Sequence, residues 1–113
     1  FMYQDKVVLC ASSKYTKKYY LNEDFEGLPK PVKDELKIMC VLFTEEIGGT
    51  LELSFDEEGN LSISTDAEEN DLLFDEIGAV LKVKKIRKEK AELFSSLEMY
   101  YRVFFLGEIE ENE

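Results

Sequence analysis

The stretch Thr50-Leu-Glu-Leu-Ser-Phe-Asp-Glu-Glu-Gly-Asn-Leu-Ser-Ile-Ser-Thr65 decides the fold. Leu51, Leu53 and Phe55 alternate with Thr50, Glu52, Ser54 and Asp56; beyond the turn, Leu61, Ile63 and Thr65 alternate with Ser62 and Ser64. A period of two sends the apolar set to one face of a strand and the polar set to the other. Asp56 to Asn60 is a short turn in which Gly59 and Asn60 tolerate positive φ. The pair reads as an antiparallel hairpin with one wet face and one face suited to a layer of helix.

Upstream, Gly48-Gly49 is a left-handed stop for a helix that opens at Pro31, where the missing N–H costs nothing. Val32, Leu36, Met39, Cys40, Phe43 and Ile47 share a face at helical spacing. Ile38, Val41 and Leu42 widen that face, so burial over much of the circumference is expected. Asn22 to Lys30, with Gly27 and Pro29, reads as loop. Lys6-Val-Val-Leu-Cys-Ala11 is apolar on both faces, which suits a central strand. Ser12-Ser13 makes the turn into a second strand over Tyr15–Leu21.

Downstream, Asp71 to Leu106 reads as helix, but one rod of about 36 residues would span roughly 54 Å, too long for a domain of this size. A break is expected between Val83 and Lys88. The first helix would start near Asn70 or Asp71 and bury Leu73, Ile77, Val80 and Leu81. Val80 to Ile86 also fits a short edge strand. The last helix, from about Arg87 to Leu106, would bury Leu93, Phe94, Leu97, Tyr101 and Phe104 and end at Gly107, ahead of an acidic frayed tail over 108–113. The fold class is therefore α+β: residues 1–107 form one two-layer domain, an antiparallel sheet of about four strands in the order β-β-α-β-β-α-α, with helices packed on one face.

At 113 residues, 44% hydrophobic, the chain is long enough for one domain with its own core. It lacks an apolar run of the length needed to span a bilayer and the basic-then-apolar layout of a signal peptide, so a cytoplasmic protein without a membrane partner is expected. Cys10 and Cys40 lie in apolar runs and read as reduced core thiols. The net charge is −11, and from Ile38 to Leu81 there is no Lys or Arg. Such a surface repels nucleic acid and anionic lipid.

The chain contains no His, which excludes a Ser-His-Asp triad and a His metal site. Neither thiol has an imidazole or an evident activating charge nearby. Gly48-Gly49 precedes a strand, the wrong context for phosphate. The acidic run Asp66, Glu68, Glu69, Asp71, Asp75, Glu76 lacks the spacing of an EF-hand loop and reads as a solvated loop entering a helix. No catalytic residue, metal or cofactor is expected.

Three candidate sites follow. Tyr100, Tyr101, Arg102, Phe104 and Phe105 sit in a segment apolar all round, so they are either core or a partner interface, where aromatics and Arg are enriched. Tyr19, Phe43, Phe55 and Tyr101 are candidates to line a ligand pocket between sheet and helices. Lys82, Lys84, Lys85, Arg87 and Lys88 are either a helix end that offsets the acidic surface or an anion site.

Lys6-Val-Val-Leu-Cys10, Lys18-Tyr-Tyr-Leu-Asn22, Glu35-Leu-Lys-Ile-Met-Cys40, Asp71-Leu-Leu-Phe-Asp-Glu-Ile-Gly78 and Tyr100-Tyr-Arg-Val-Phe-Phe-Leu-Gly107 resemble a family of short acidic bacterial proteins of unknown function from Gram-positive anaerobes. The resemblance covers nearly the whole chain and implies no activity. The element order also looks like a reduced longin or roadblock scaffold, whose further meander strand would be missing or lie in Val80–Ile86. The expected function is a non-catalytic interaction or regulatory protein acting through the aromatic C-terminal helix as a homodimer; the alternative is a small-molecule binder.

Overall fold

The alternating stretch forms β3 (Thr50–Phe55) and β4 (Leu61–Asp66), paired antiparallel from Thr50↔Asp66 to Phe55↔Leu61. The computed structural model describes residues 6–108. Ahead of this hairpin stand β1 (Val7–Ser13), β2 (Lys18–Leu21) and α1 (Lys30–Ile47); after it come α2 (Glu76–Glu89) and α3 (Ala91–Phe104). The sheet order is β2-β1-β3-β4, all antiparallel. The fold is α+β.

β1 is apolar on both faces because it lies centrally, between β2 and β3. A register shift between Val8 and Cys10 also lets Leu9 and Cys10, neighbours in sequence, both be fully buried. α1 and α3 share the face of the sheet carrying Cys10, Ser12, Leu53 and Phe55. Ser12 Oγ donates to the Cys40 carbonyl of α1 at 2.8 Å. The Tyr101 ring of α3 lies 4.2 Å from that of Phe55, nearly parallel to it. Phe105 extends this stack, 5.0 Å from Tyr101 and 4.8 Å from the buried Phe25. At the sheet edge, Glu98 of α3 accepts the outward Leu61 N–H at 2.7 Å.

Element boundaries differ from the sequence reading where side chains compete for backbone groups. Ser13 Oγ accepts the N–H groups of Tyr15 and Thr16, so the first turn runs over 14–17, Lys17 takes a positive φ, and Tyr15 is not in β2. α1 begins at Lys30, with Pro31 second. α2 starts at Glu76 rather than Asn70 or Asp71. Asp71 Oδ1 accepts the Leu73 N–H in a local turn, and Asp75 Oδ1 caps the helix by accepting the Gly78 N–H. Val80 to Ile86 is helical, so a fifth strand does not lie there.

The break between the last two helices falls at Lys90, not between Val83 and Lys88. Lys90 leaves helical geometry for one residue while its ammonium meets Glu35 of α1 at 2.8 Å. Each helix is 14 residues, about 21 Å, which fits the domain. α3 ends at Phe104, whose ring is 71% exposed rather than buried, because its core stripe consists of Phe94, Leu97 and Tyr101. α1 is not buried all round either: Ile38 and Leu42 are exposed. The acidic tail expected over 108–113 lies, beyond Glu108, outside the described residues.

Gly48 and Gly49 both have positive φ, and Gly49 does more than stop a helix. A Cβ there would meet the Asp66 carbonyl oxygen and come within 2.8 Å of the Phe74 ring. Gly49→Ala is expected to destabilise the fold by roughly 2–4 kcal/mol, the sum of left-handed strain and forced displacement, measured by denaturant unfolding. An unchanged midpoint would contradict this packing. The aromatic stack separates two neighbours. Phe105→Asp should cost roughly 2–3 kcal/mol, whereas Phe104→Asp should stay within about 1 kcal/mol. Equal melting temperatures for the two variants would contradict the stacking of Phe105 on Phe25 and Tyr101.

Candidate functional site

The structure divides the aromatic end of α3. Tyr101 and Phe105 belong to the stack, and the ring of Tyr100 lies 4.8 Å from that of the exposed Phe104. Arg102 holds the β3–β4 turn. Its Nε donates to the Glu58 carbonyl at 3.1 Å and its Nη2 to Asn60 Oδ1 at 2.7 Å. Gly59, at φ 88, passes under that side chain; a Cβ there would lie 2.7 Å from Arg102 Cγ. Of the five candidate interface residues, Tyr100 is half-buried against the core beside Phe25, and Phe104 stands exposed.

The four candidate pocket residues do not line one space. Phe43 and Phe55 are 0% exposed, so no water-sized void touches either ring, and Tyr101 fills the place beside Phe55. Tyr19 lies instead by Cys10 and Cys40, whose sulfurs are 3.8 Å apart. Burial pushes the Tyr19 phenol up. The hydrogen bond with Cys10 and burial push the Cys40 thiol up, which removes thiolate reactivity. The residue pattern had suggested a ligand site where the core is closed.

The basic residues do not form one site either, because α2 distributes them around its circumference. Lys82 turns toward α1 and pairs with Glu46 at 3.1 Å, and Lys85 lies 4.0 Å from Glu89. Lys84, Arg87 and Lys88 stand exposed on the outside.

What the sequence reading missed is the outer face of α2. This helix packs mainly against α1 and α3, through Ala79, Ile86 and the half-buried Val83. Steps of 100° per residue put Ile77, Val80, Leu81, Lys84 and Lys88 on the opposite side. Ile77, Val80 and Leu81 are exposed, as are Leu72 and Leu73 in the preceding loop, from 61% for Leu81 to 95% for Leu72. α2 thus has two apolar stripes. The sequence reading assigned the larger one to the core, whereas the space between α1 and α3 takes the smaller. No local signal distinguishes the two stripes, because which one is covered depends on the space left between α1 and α3.

Beside the first half of α2 lies an open hollow of about 830 Å³. Phe74, Ile77, Ala79 and Val80 line its apolar part, and Glu68, Glu69, Asp71 and Glu76 line its acidic rim. A smaller groove of about 510 Å³ lies between α1 and α2, with Ile38, Met39, Leu42 and Ile86 along it. Along its exposed side α2 thus carries acid at its start, apolar side chains in the middle and cations at its end.

The loop that forms the acidic rim is tied to the first hairpin. Tyr15 donates to Asp71 Oδ2 at 2.6 Å and accepts the Glu68 N–H at 2.8 Å. The bond from Tyr15 holds the Asp71 carboxyl below its ordinary range, and the same bond raises the Tyr15 phenol. A depressed carboxylate contributes its full stabilisation above the unfolded-state value of about 3.9 and loses it as pH falls through the lower folded value. The protection factor of the Glu68 amide is therefore expected to drop as pH falls below about 3.9. In Tyr15→Phe it should already be low at neutral pH. Equal protection in the two proteins at neutral pH would show that the phenol does not hold the rim.

Among the described residues, no three His, Cys, Asp or Glu side chains converge to hold a metal ion, and no helix is long and apolar enough to cross a membrane. The chain belongs to a family of unknown function, DUF6145, whose profile matches residues 6–109. No curated protein and no solved structure shows a significant match to it.

Proposed function

We propose that the chain is a non-catalytic cytosolic protein-interaction domain whose working surface is the outer face of α2 with the loop before it. The observation that carries this reading is the exposed apolar strip of Ile77, Val80 and Leu81, with Leu72 and Leu73 also exposed in the loop before it, beside a core complete without them. Burying such side chains yields about 1.5–3 kcal/mol each, enough over five to offset much of the cost of association. The flanking Lys84, Arg87 and Lys88 select a protein partner that offers carboxylates next to its own apolar strip. The acidic rim disfavours nucleic acid and anionic lipid. The absence of His and the closed, unreactive environment of both thiols support a non-catalytic role.

The strip is testable in the cell. A photoreactive phenylalanine analogue at Leu81 is expected to form adducts with a polypeptide, and Lys84→Glu with Arg87→Glu and Lys88→Glu in the same chain should abolish them. The triple variant Ile77→Gln, Val80→Gln, Leu81→Gln should keep its melting temperature within a few degrees, since surface changes away from the core cost about 0.5 kcal/mol or less each. Adducts with lipid alone, or adducts indifferent to charge reversal, would defeat the reading.

A further inference from the structure

We propose that the partner on this surface is a second copy of the chain, with the two α2 helices antiparallel across a twofold axis. This rests on the reading of α2 as the interaction surface and adds the identity and orientation of its occupant. A twofold interface brings the same patch of both copies together, so the patch must complement itself. α2 meets that condition in one orientation only. Its start adjoins Glu68, Glu69, Asp71 and Glu76, and its end carries Lys84, Lys85, Arg87 and Lys88. Parallel helices would oppose acid to acid and base to base; antiparallel helices oppose acid to base at both ends.

The spacing agrees. An antiparallel crossing centred between Val80 and Leu81 sets Ile77 against the methylenes of Lys84, and brings Glu76 toward Arg87, which lies on the same flank of α2. The basic last turn of each copy then lies over the acidic hollow of the other, whose apolar part includes Ile77 and Val80. Two molecules of charge −11 repel at long range, so most other self-contacts are opposed. The outer end of α2 is where cations stand together: Lys84, Arg87 and Lys88 have no carboxylate partner among the described residues, while Lys82, Lys85 and Lys90 nearby do.

The test is sedimentation equilibrium of the full chain and two charge-reversed forms. One carries Lys84→Glu, Arg87→Glu and Lys88→Glu. The other carries Glu68→Lys, Glu69→Lys and Glu76→Lys, leaving Asp71 and Asp75 because they bond Tyr15 and cap α2. The unaltered chain is expected to dimerise, with affinity falling about tenfold or more as salt rises from about 50 mM to about 500 mM. Each reversed form should be a folded monomer, by circular dichroism and melting temperature. An equimolar mixture of the two should restore a one-to-one dimer, which a form that had merely misfolded does not do.

A chain that stays monomeric at about 100 µM in low salt overturns the inference, since an interface of this kind reaches micromolar affinity or better. If Leu81 still captures a different polypeptide in the cell, the interaction surface stands and only the second copy falls. A dimer that survives both reversals also overturns the inference, because its contact lies elsewhere.

Discussion

Four strands at about 4.8 Å spacing make a sheet about 14 Å wide between its outer strand axes, and helices pack on one another at about 8–10 Å. Such a face holds two helices. In this chain α1 and α3 occupy both places, with Ser12 bonded to α1 and Phe55 stacked under α3. α2 has no sheet left to cover. It rides on the other two helices, and the space between them accepts the single stripe of Ala79, Val83 and Ile86 and leaves Ile77 and Leu81 outside. The exposed strip is a consequence of sheet width.

Because α2 lacks a sheet beneath it, its position depends on its ends. At its start, Asp75 caps the helix through the Gly78 N–H and donates its own N–H to the Ile47 carbonyl at the end of α1. Phe74 packs against Gly49, where no side chain stands in its way. Tyr15, in the turn between β1 and β2, holds the loop through Asp71. At the other end, Lys90 breaks the helix and reaches Glu35. An ion pair this exposed contributes little stability, but it fixes where α3 departs. These contacts set the acidic rim and the basic turn at fixed separation on one rigid rod.

The sheet was legible because alternation is a local property. Leu51, Leu53, Phe55 and Leu61 can face only one way once paired, and Val7 to Ala11, apolar on both faces, belongs in the middle. Gly48-Gly49 and Pro31 marked α1 for equally local reasons. The helical C-terminal third resisted reading because period alone does not say which of two apolar stripes is covered. That depends on the width left between α1 and α3, a tertiary quantity. Arg102 misled for a related reason: an arginine among aromatics looks like an interface residue until the Glu58 carbonyl and Asn60 appear beneath it. Tyr19 looked like a pocket wall, whereas the core around Phe43 and Phe55 leaves no void of that kind.

The composition of α2 is not dictated by folding. Gln or Lys at Ile77, Val80 and Leu81 would leave Ala79, Val83 and Ile86 to hold the helix as they do now, and would remove an exposed apolar patch that invites aggregation. The sequence carries the patch and places charge of opposite sign at its two ends, in a molecule otherwise dominated by one sign. Charge placed that way keeps identical copies from stacking in register and admits the antiparallel contact. In the proposed dimer, the same feature that makes the patch tolerable in solution selects the geometry that buries it.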